Sequence, residues 1–165
     1  AEEAVEAMRY MDDAVLLIVG SGDVIPQLKQ MVLQYNLEKR VIFKGRMPYH
    51  KMIAHTRVAD LGLSLDRDTN INYRFSLPNK LFDYIHAGIP VLGSDLVEVR
   101  RIIEEYGVGE IACSFDPEEL AAQMQSMLTS PKVNEWKQNA QKARTELNWE
   151  TETKVLSNMI DILNA

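Results

Sequence analysis

The chain has 165 residues, 46% of them apolar, and a net charge of −6. That is the length and composition of one globular domain with an ordinary core, spanning residues 1–165. The acidic balance, with no run of Lys and Arg, excludes a broad nucleic-acid surface or a polybasic membrane patch; a local phosphate site stays open, because it needs only a helix end and one or two cations. The chain starts at Ala1, and Ala1 to Met11 already read as a helix in progress, with Val5, Met8, Ala4 and Met11 as its apolar face. The expectation is a domain cut from something longer.

Val15 to Val19 is an apolar run that predicts a buried strand. Gly20-Ser21-Gly22 follows directly, and a helix beginning at Asp23 places Ile25, Leu28, Val32 and Tyr35 on its core face. Strand, glycine turn and helix is a layout that lets backbone approach a phosphate, but Ile25 stands where the third glycine of a dinucleotide fingerprint belongs. Val41 to Phe43 is the next strand, leading into Lys44-Gly45-Arg46-Met47, and Pro48 opens a short helix over His50–Arg57. His50 and His55 lie five apart, a poor spacing for a shared metal, so no metal site is expected. Leu61 to Leu65 is a third strand, and Asp66 to Phe75 a long polar connection of the kind that often carries function.

The stretch from Ser76 to Ser94, SLPNKLFDYIHAGIPVLGS, reads as loop, helix, tight stop and buried strand. Ser76 is the expected N-cap, with Pro78 in the first turn. Leu77, Leu81, Tyr84 and Ile85 form the apolar face, Gly88 is a left-handed stop, and Ile89 to Leu92 is the strand. Asn79, Lys80 and Asp83 lie off the apolar face. The unpaired N–H groups and positive dipole end of the helix start form an anion site, to which Lys80 adds a charge. Asp83, one turn further in, can accept hydrogen bonds from a pair of ribose hydroxyls. The plainer alternative makes Lys80 and Asp83 an exposed ion pair within the helix.

A helix from Leu96 to Tyr106 follows, broken by Gly107 and Gly109; Ile111 to Ser114 is a short strand in which Cys113 packs as a small apolar residue. Cys113 is the single cysteine, which excludes an internal disulfide and fits a reducing, cytoplasmic setting. Asp116-Pro117-Glu118-Glu119 signals a helix start, running to Leu128. Pro131 opens a helix to Leu147, and Trp149 to Leu163 reads as a last one. No apolar run approaches the roughly 20 residues of a membrane span, and none reads as a signal peptide.

Apolar strands alternating with helices predict an α/β fold: a parallel, doubly wound, Rossmann-like sheet with helices on both faces. Ligands of such sheets sit outside the carboxyl ends of the strands. The turns Gly20–Gly22, Gly45–Met47, Asp66–Phe75 and Ser94–Glu98 all fall at that edge, as does the helix start near Leu77.

The blocks LLIVGSGD, VIFKGRMP, ADLGLSL and SLPNKLFDYIHAGIPVLGSD stand in a fixed order, with Trp149 near the end. In this the chain resembles the C-terminal, nucleotide-sugar-binding half of the GT-B glycosyltransferases, in particular the retaining, family-4 (group 1) type that builds bacterial cell-surface polysaccharides. PNKLFDY…AGIPV is the most specific part of the resemblance and the glycine turn the least. The resemblance implies that Asp83 takes the place of an acid, usually Glu, that holds the ribose hydroxyls. It implies that the backbone of Ser76, Leu77, Pro78 and Asn79, with Lys80 beside it, faces the diphosphate. It further implies that Gly45, Arg46 and Met47 lie along the base, and that Gly20, Ser21 and Gly22 border the same cleft. The family's Glu-x7-Glu motif is broken here: Phe75 stands eight residues before Asp83 and cannot hydrogen-bond a sugar, leaving Arg74, Ser76 or Asn72 to replace that contact.

A UDP- or GDP-sugar is the implied donor substrate, with no cofactor and no metal. The implied partner is a missing N-terminal acceptor half, which would also carry any peripheral membrane association. The fragment alone is expected to be inactive, because transfer requires both reactants in one geometry. Three other readings stand beside this one. A receiver domain needs an acidic pair after its first strand, whereas Asp12 and Asp13 precede Val15. A GT-B nucleotide-sugar epimerase needs convergent carboxylates and histidine, and His50, His55 and His86 do not obviously converge. A non-catalytic assembly domain of the same fold would tolerate the broken acidic motif.

Overall fold

The computed structural model describes residues 1–148 together with Thr153 and Ser157. The chain alternates as expected: α1 (Glu2–Ala7), β1 (Leu16–Val19), α2 (Ile25–Gln34), β2 (Val41–Gly45), α3 (Tyr49–Thr56), β3 (Gly62–Ser64), α4 (Ile71–Arg74), α5 (Asn79–Ala87), β4 (Val91–Gly93), α6 (Val97–Tyr106), β5 (Gly109–Ile111), α7 (Pro117–Leu128) and α8 (Val133–Glu146). The helix expected over Trp149–Leu163 lies outside the described residues.

Among the described residues all strand pairs are parallel, as the apolar strands predict, but the ladders fall into two sheets rather than one. β1 pairs with β2, Leu17 opposite Ile42; β3, β4 and β5 form a second sheet, Leu63 opposite Leu92 and Leu92 opposite Glu110. Side chains join the two sheets where backbone does not. Leu16 and Ile18 of β1, Leu63 of β3 and Leu92 of β4 pack in one core beneath α1, α2 and α7. Val91, one residue before Leu92, belongs to a second core with Leu81 and Ile85 of α5, Val99 and Ile103 of α6 and Ala140 of α8. Successive strand residues point to opposite faces, so β4 is buried on both sides and its apolar run needs no polar alternation.

The second core fixes α5. Leu81 and Ile85 are fully buried, each contributing about 2 kcal/mol, and Gly88 ends the helix with φ at 78°. The start of α5 differs from expectation. Ser76 is not its N-cap; Pro78 holds that place and the helix makes no side-chain cap bond. Ser76 Oγ instead donates to the carbonyl of Tyr73 at 3.1 Å, a local hydroxyl-to-backbone bond that competes with capping. Leu77 therefore lies before the helix, half-buried against the second core.

Other boundaries move for local reasons. The first helix narrows to a single 3-10 turn over Met8–Tyr10, and the helix expected from Asp23 begins at Ile25. The Asp66–Phe75 connection carries one helical turn, capped where Asn70 accepts from the Tyr73 N–H at 3.1 Å. The last strand sits earlier than Ile111–Ser114: Gly109 is inside it, facing the Val91 backbone too closely for any side chain. Cys113 consequently falls past the strand and is exposed rather than packed.

Candidate functional site

Two glycine turns at strand ends touch each other. Gly20 ends β1 with φ at 131° and Gly45 ends β2 with φ at 66°, backbone states that glycine adopts at little cost. The Gly20 N–H donates to the Gly45 carbonyl at 2.9 Å. A side-chain carbon built at Gly20, Gly22 or Gly45 would meet nothing, so open space lies before all three. Ser21, Gly22, Gly45 and Arg46 are exposed and Met47 is half-buried.

From Met47 the chain passes Pro48 into α3, whose first residue, Tyr49, donates its hydroxyl hydrogen to Asp83 Oδ1 on α5 at 3.1 Å. One turn before Asp83, Lys80 Nζ pairs with Asp66 Oδ1 at 2.9 Å. Asp66 is the second residue past β3, and its N–H donates to Ser94 Oγ at 3.2 Å, while Ser94 Oγ donates to the Ser64 carbonyl at 3.2 Å. Three bonds thus lie along this rim, Gly20 to Gly45, Tyr49 to Asp83 and Lys80 to Asp66, the first two joined by the short Arg46–Pro48 segment and the last two by α5. Every member lies at the carboxyl end of a strand or on the helix that follows it.

The exposed pair within the helix does not form: Lys80 and Asp83 each bond outside α5. Burial and the Asp83 carboxylate hold the Tyr49 phenol above its usual value. Beneath them, burial pushes the Tyr84 phenol up to about 12, and the nearby Asp83 and Asp66 carboxylates reinforce this. Both acids therefore act on one phenol.

The other expected donor contacts lie on the exposed connection. Arg74 is engaged by Asp68 at 2.9 Å, Ser76 is turned toward Tyr73, Asn72 and Asn79 are exposed, and Phe75 is 55% exposed with no polar atom to offer. A cleft of about 530 Å³ adjoins the set through Asp66 and is lined also by Glu2, Glu3, Leu65, Arg67, Thr69 and Tyr73. Two of the lining residues, Arg67 and Glu3, bond each other. Tyr49 and Asp66 did not stand out in the sequence. Their signal was position: Asp66 lies just past the carboxyl end of β3, and Tyr49 opens the helix that follows β2.

Among the described residues no group of three or more His, Cys, Asp or Glu side chains could hold a metal ion. No described helix is long and apolar enough to cross a membrane.

The fold is that of one family. The profile described as "Glycosyl transferases group 1" matches residues 1–143, and the chain belongs to that family. Among solved structures, sucrose-phosphate synthase from Thermosynechococcus elongatus is similar with a TM-score of 0.82 at 21% identity, over 98% of this chain and 41% of that one. Anabaena HepE, solved in complex with UDP, gives 0.79 at 16% identity, over 96% and 44%. WaaG, a glycosyltransferase involved in lipopolysaccharide biosynthesis, gives 0.72 at 19% identity, over 89% and 39%. At these identities the likeness establishes the GT-B fold. The chain spans about two fifths of the length of each of these proteins. No curated protein sequence matches it.

Proposed function

We propose that the chain is the donor-binding half of a glycosyltransferase and takes a UDP- or GDP-sugar at the rim formed by residues 20–22, 45–47 and 76–83. The observation that carries this is the linked set Tyr49–Asp83 and Lys80–Asp66 beside two open glycine turns. Asp83 receives the ribose hydroxyls, Lys80 and the N–H groups opening α5 receive the diphosphate, and the Gly45-Arg46-Met47 backbone runs along the base. HepE, of the same fold, is solved with UDP, which supports a nucleotide as the ligand class.

In the whole protein the reaction is sugar transfer to a glycan or lipid-linked acceptor with retention, in cytoplasmic synthesis of a cell-surface polysaccharide. The charge of the departing diphosphate is then stabilised by a helix start and cations rather than a bound metal. A second half supplies the acceptor, so this chain alone does not turn over. Arg74, engaged by Asp68, reaches a donor sugar only by leaving that pair.

NMR shift mapping with UDP, GDP and ADP tests this. The expected result is a cluster of shifted amides at 20–22, 45–47 and 76–83, with affinity reduced about tenfold or more in Asp83→Ala, the scale of losing a hydrogen bond to a charged group. Shifts elsewhere, or none at millimolar nucleotide, would replace this proposal with a non-catalytic assembly domain, a role that the apolar Phe75 on the rim favours.

A further inference from the structure

We propose that Tyr49 is a second ribose-reading residue, forming with Asp83 a single acceptor pair for a vicinal diol; this rests on the nucleotide-binding function proposed above. Tyr49 and Asp83 lie 34 residues apart, on different helices, and meet through one hydrogen bond of 3.1 Å. A phenol has one donor and two acceptor lone pairs, and a carboxylate only acceptors. Here the phenol's donor is spent on Asp83 Oδ1. The phenol oxygen therefore presents lone pairs alone, and among the described residues Asp83 Oδ2 receives no side-chain or backbone donor.

Two acceptors side by side at a strand-end rim, with no free donor between them, suit a ligand that offers two adjacent O–H groups. The 2′- and 3′-hydroxyls of a ribose do so, one to Asp83 Oδ2 and one to Tyr49 Oη. The bond also restricts rotation of the carboxylate, so less ordering remains for binding to offset. A purely architectural role fits poorly. Tyr49 is 59% exposed, and one exposed hydrogen bond adds little to stability. The phenol also stays protonated well into the alkaline range, since burial and the Asp83 charge both resist its ionisation, with Arg57 opposing them.

The test uses the chain as it stands, titrated with UDP and GDP and with their 2′-deoxy and 3′-deoxy forms, for wild type, Tyr49→Phe, Asp83→Asn and the double variant. Tyr49→Phe is expected to weaken the ribonucleotide about three- to tenfold. It should leave unchanged the deoxy form that lacks the hydroxyl it reads. The double variant should lose less than the product of the two single losses, because both read one diol. Equal loss for ribo and both deoxy forms would mark Tyr49 as merely structural and overturn the inference. Tyr49→Phe binding like wild type, while Asp83→Asn is impaired, would overturn it and leave the nucleotide site standing. Failure of wild type to bind any nucleotide would overturn both.

Discussion

Two sets of polar pairs in this molecule, those of α6 and those of the strand-end rim, differ in reach. On α6, Arg101 bonds Glu98 at 2.9 Å and Glu105 at 3.1 Å, and Arg100 bonds Asp95 at 2.7 Å as well as Glu104. All of these partners are within five residues. At the strand-end rim, Lys80 pairs with Asp66 fourteen residues away and Tyr49 with Asp83 thirty-four away. A pair at helical spacing comes almost free once the helix exists, and it records only that the surface is solvated. A pair across two connections requires the fold to have brought them together first. The α6 pairs stabilise a helix face, whereas the rim pairs hold side chains of separate elements in register with one another.

The Tyr84 ring under the rim sharpens this contrast most. Tyr84 packs over Gly62, and its hydroxyl donates to the Leu63 carbonyl at 3.2 Å. Its folded pKa is pushed up to about 12, against about 10 in an unfolded chain. The neutral phenol's contribution is therefore fully present below pH 10 and is lost as pH rises toward 12. Over that window the wild type is expected to lose about 3 kcal/mol of unfolding free energy through this one group. Urea denaturation at stepped pH checks it: Tyr84→Phe should lack that share of the slope. A variant that falls as steeply as wild type would show the alkaline loss to arise elsewhere, for example at Tyr106 beside Glu105 and Glu146.

What was legible in the sequence divides along the same line. The stop at Gly88 and the cap at Asp116, which accepts from the N–H groups of Glu118 at 3.0 Å and Glu119 at 3.2 Å, were both read correctly. Each depends only on neighbours within four residues. The alternation of strands and helices was legible because Val91 and Leu92 must be apolar to face two cores. Ser76 failed as a cap because two local bonds compete for one hydroxyl, and residue type does not say which wins. The partners of Lys80 and Asp83 were hidden for a different reason. Asp66 and Tyr49 become neighbours only after β3 and α3 are placed, and no spacing rule spans those connections.

Lys80 gives the next largest effect. If its rim pair has a binding role, removing the ammonium should cost diphosphate affinity, and removing its competitor should enhance it. Lys80→Ala is expected to weaken UDP about five- to tenfold while changing uridine less than about twofold. Asp66→Asn should strengthen UDP about two- to threefold, because the ammonium no longer leaves a carboxylate to reach phosphate. Calorimetric titration of the three chains with both ligands measures this. Equal losses for UDP and uridine in Lys80→Ala would place Lys80 with the architectural pairs of α6.

The smallest effect is expected on α6 itself. Arg101 has a half-exposed side chain and two carboxylates at helical spacing, so water and counterions replace most of what each pair supplies. Arg101→Ala should shift the unfolding free energy by less than about 0.5 kcal/mol and should leave UDP binding as it is. Raising the salt should shrink even that difference, since exposed pairs are screened over a few ångströms at molar ionic strength. A loss above about 1 kcal/mol, or one that persists in high salt, would mean that the local pairs brace the packing of α6 against β4. The distance in sequence between partners would then no longer separate the pairs that serve the rim from those that serve the helix.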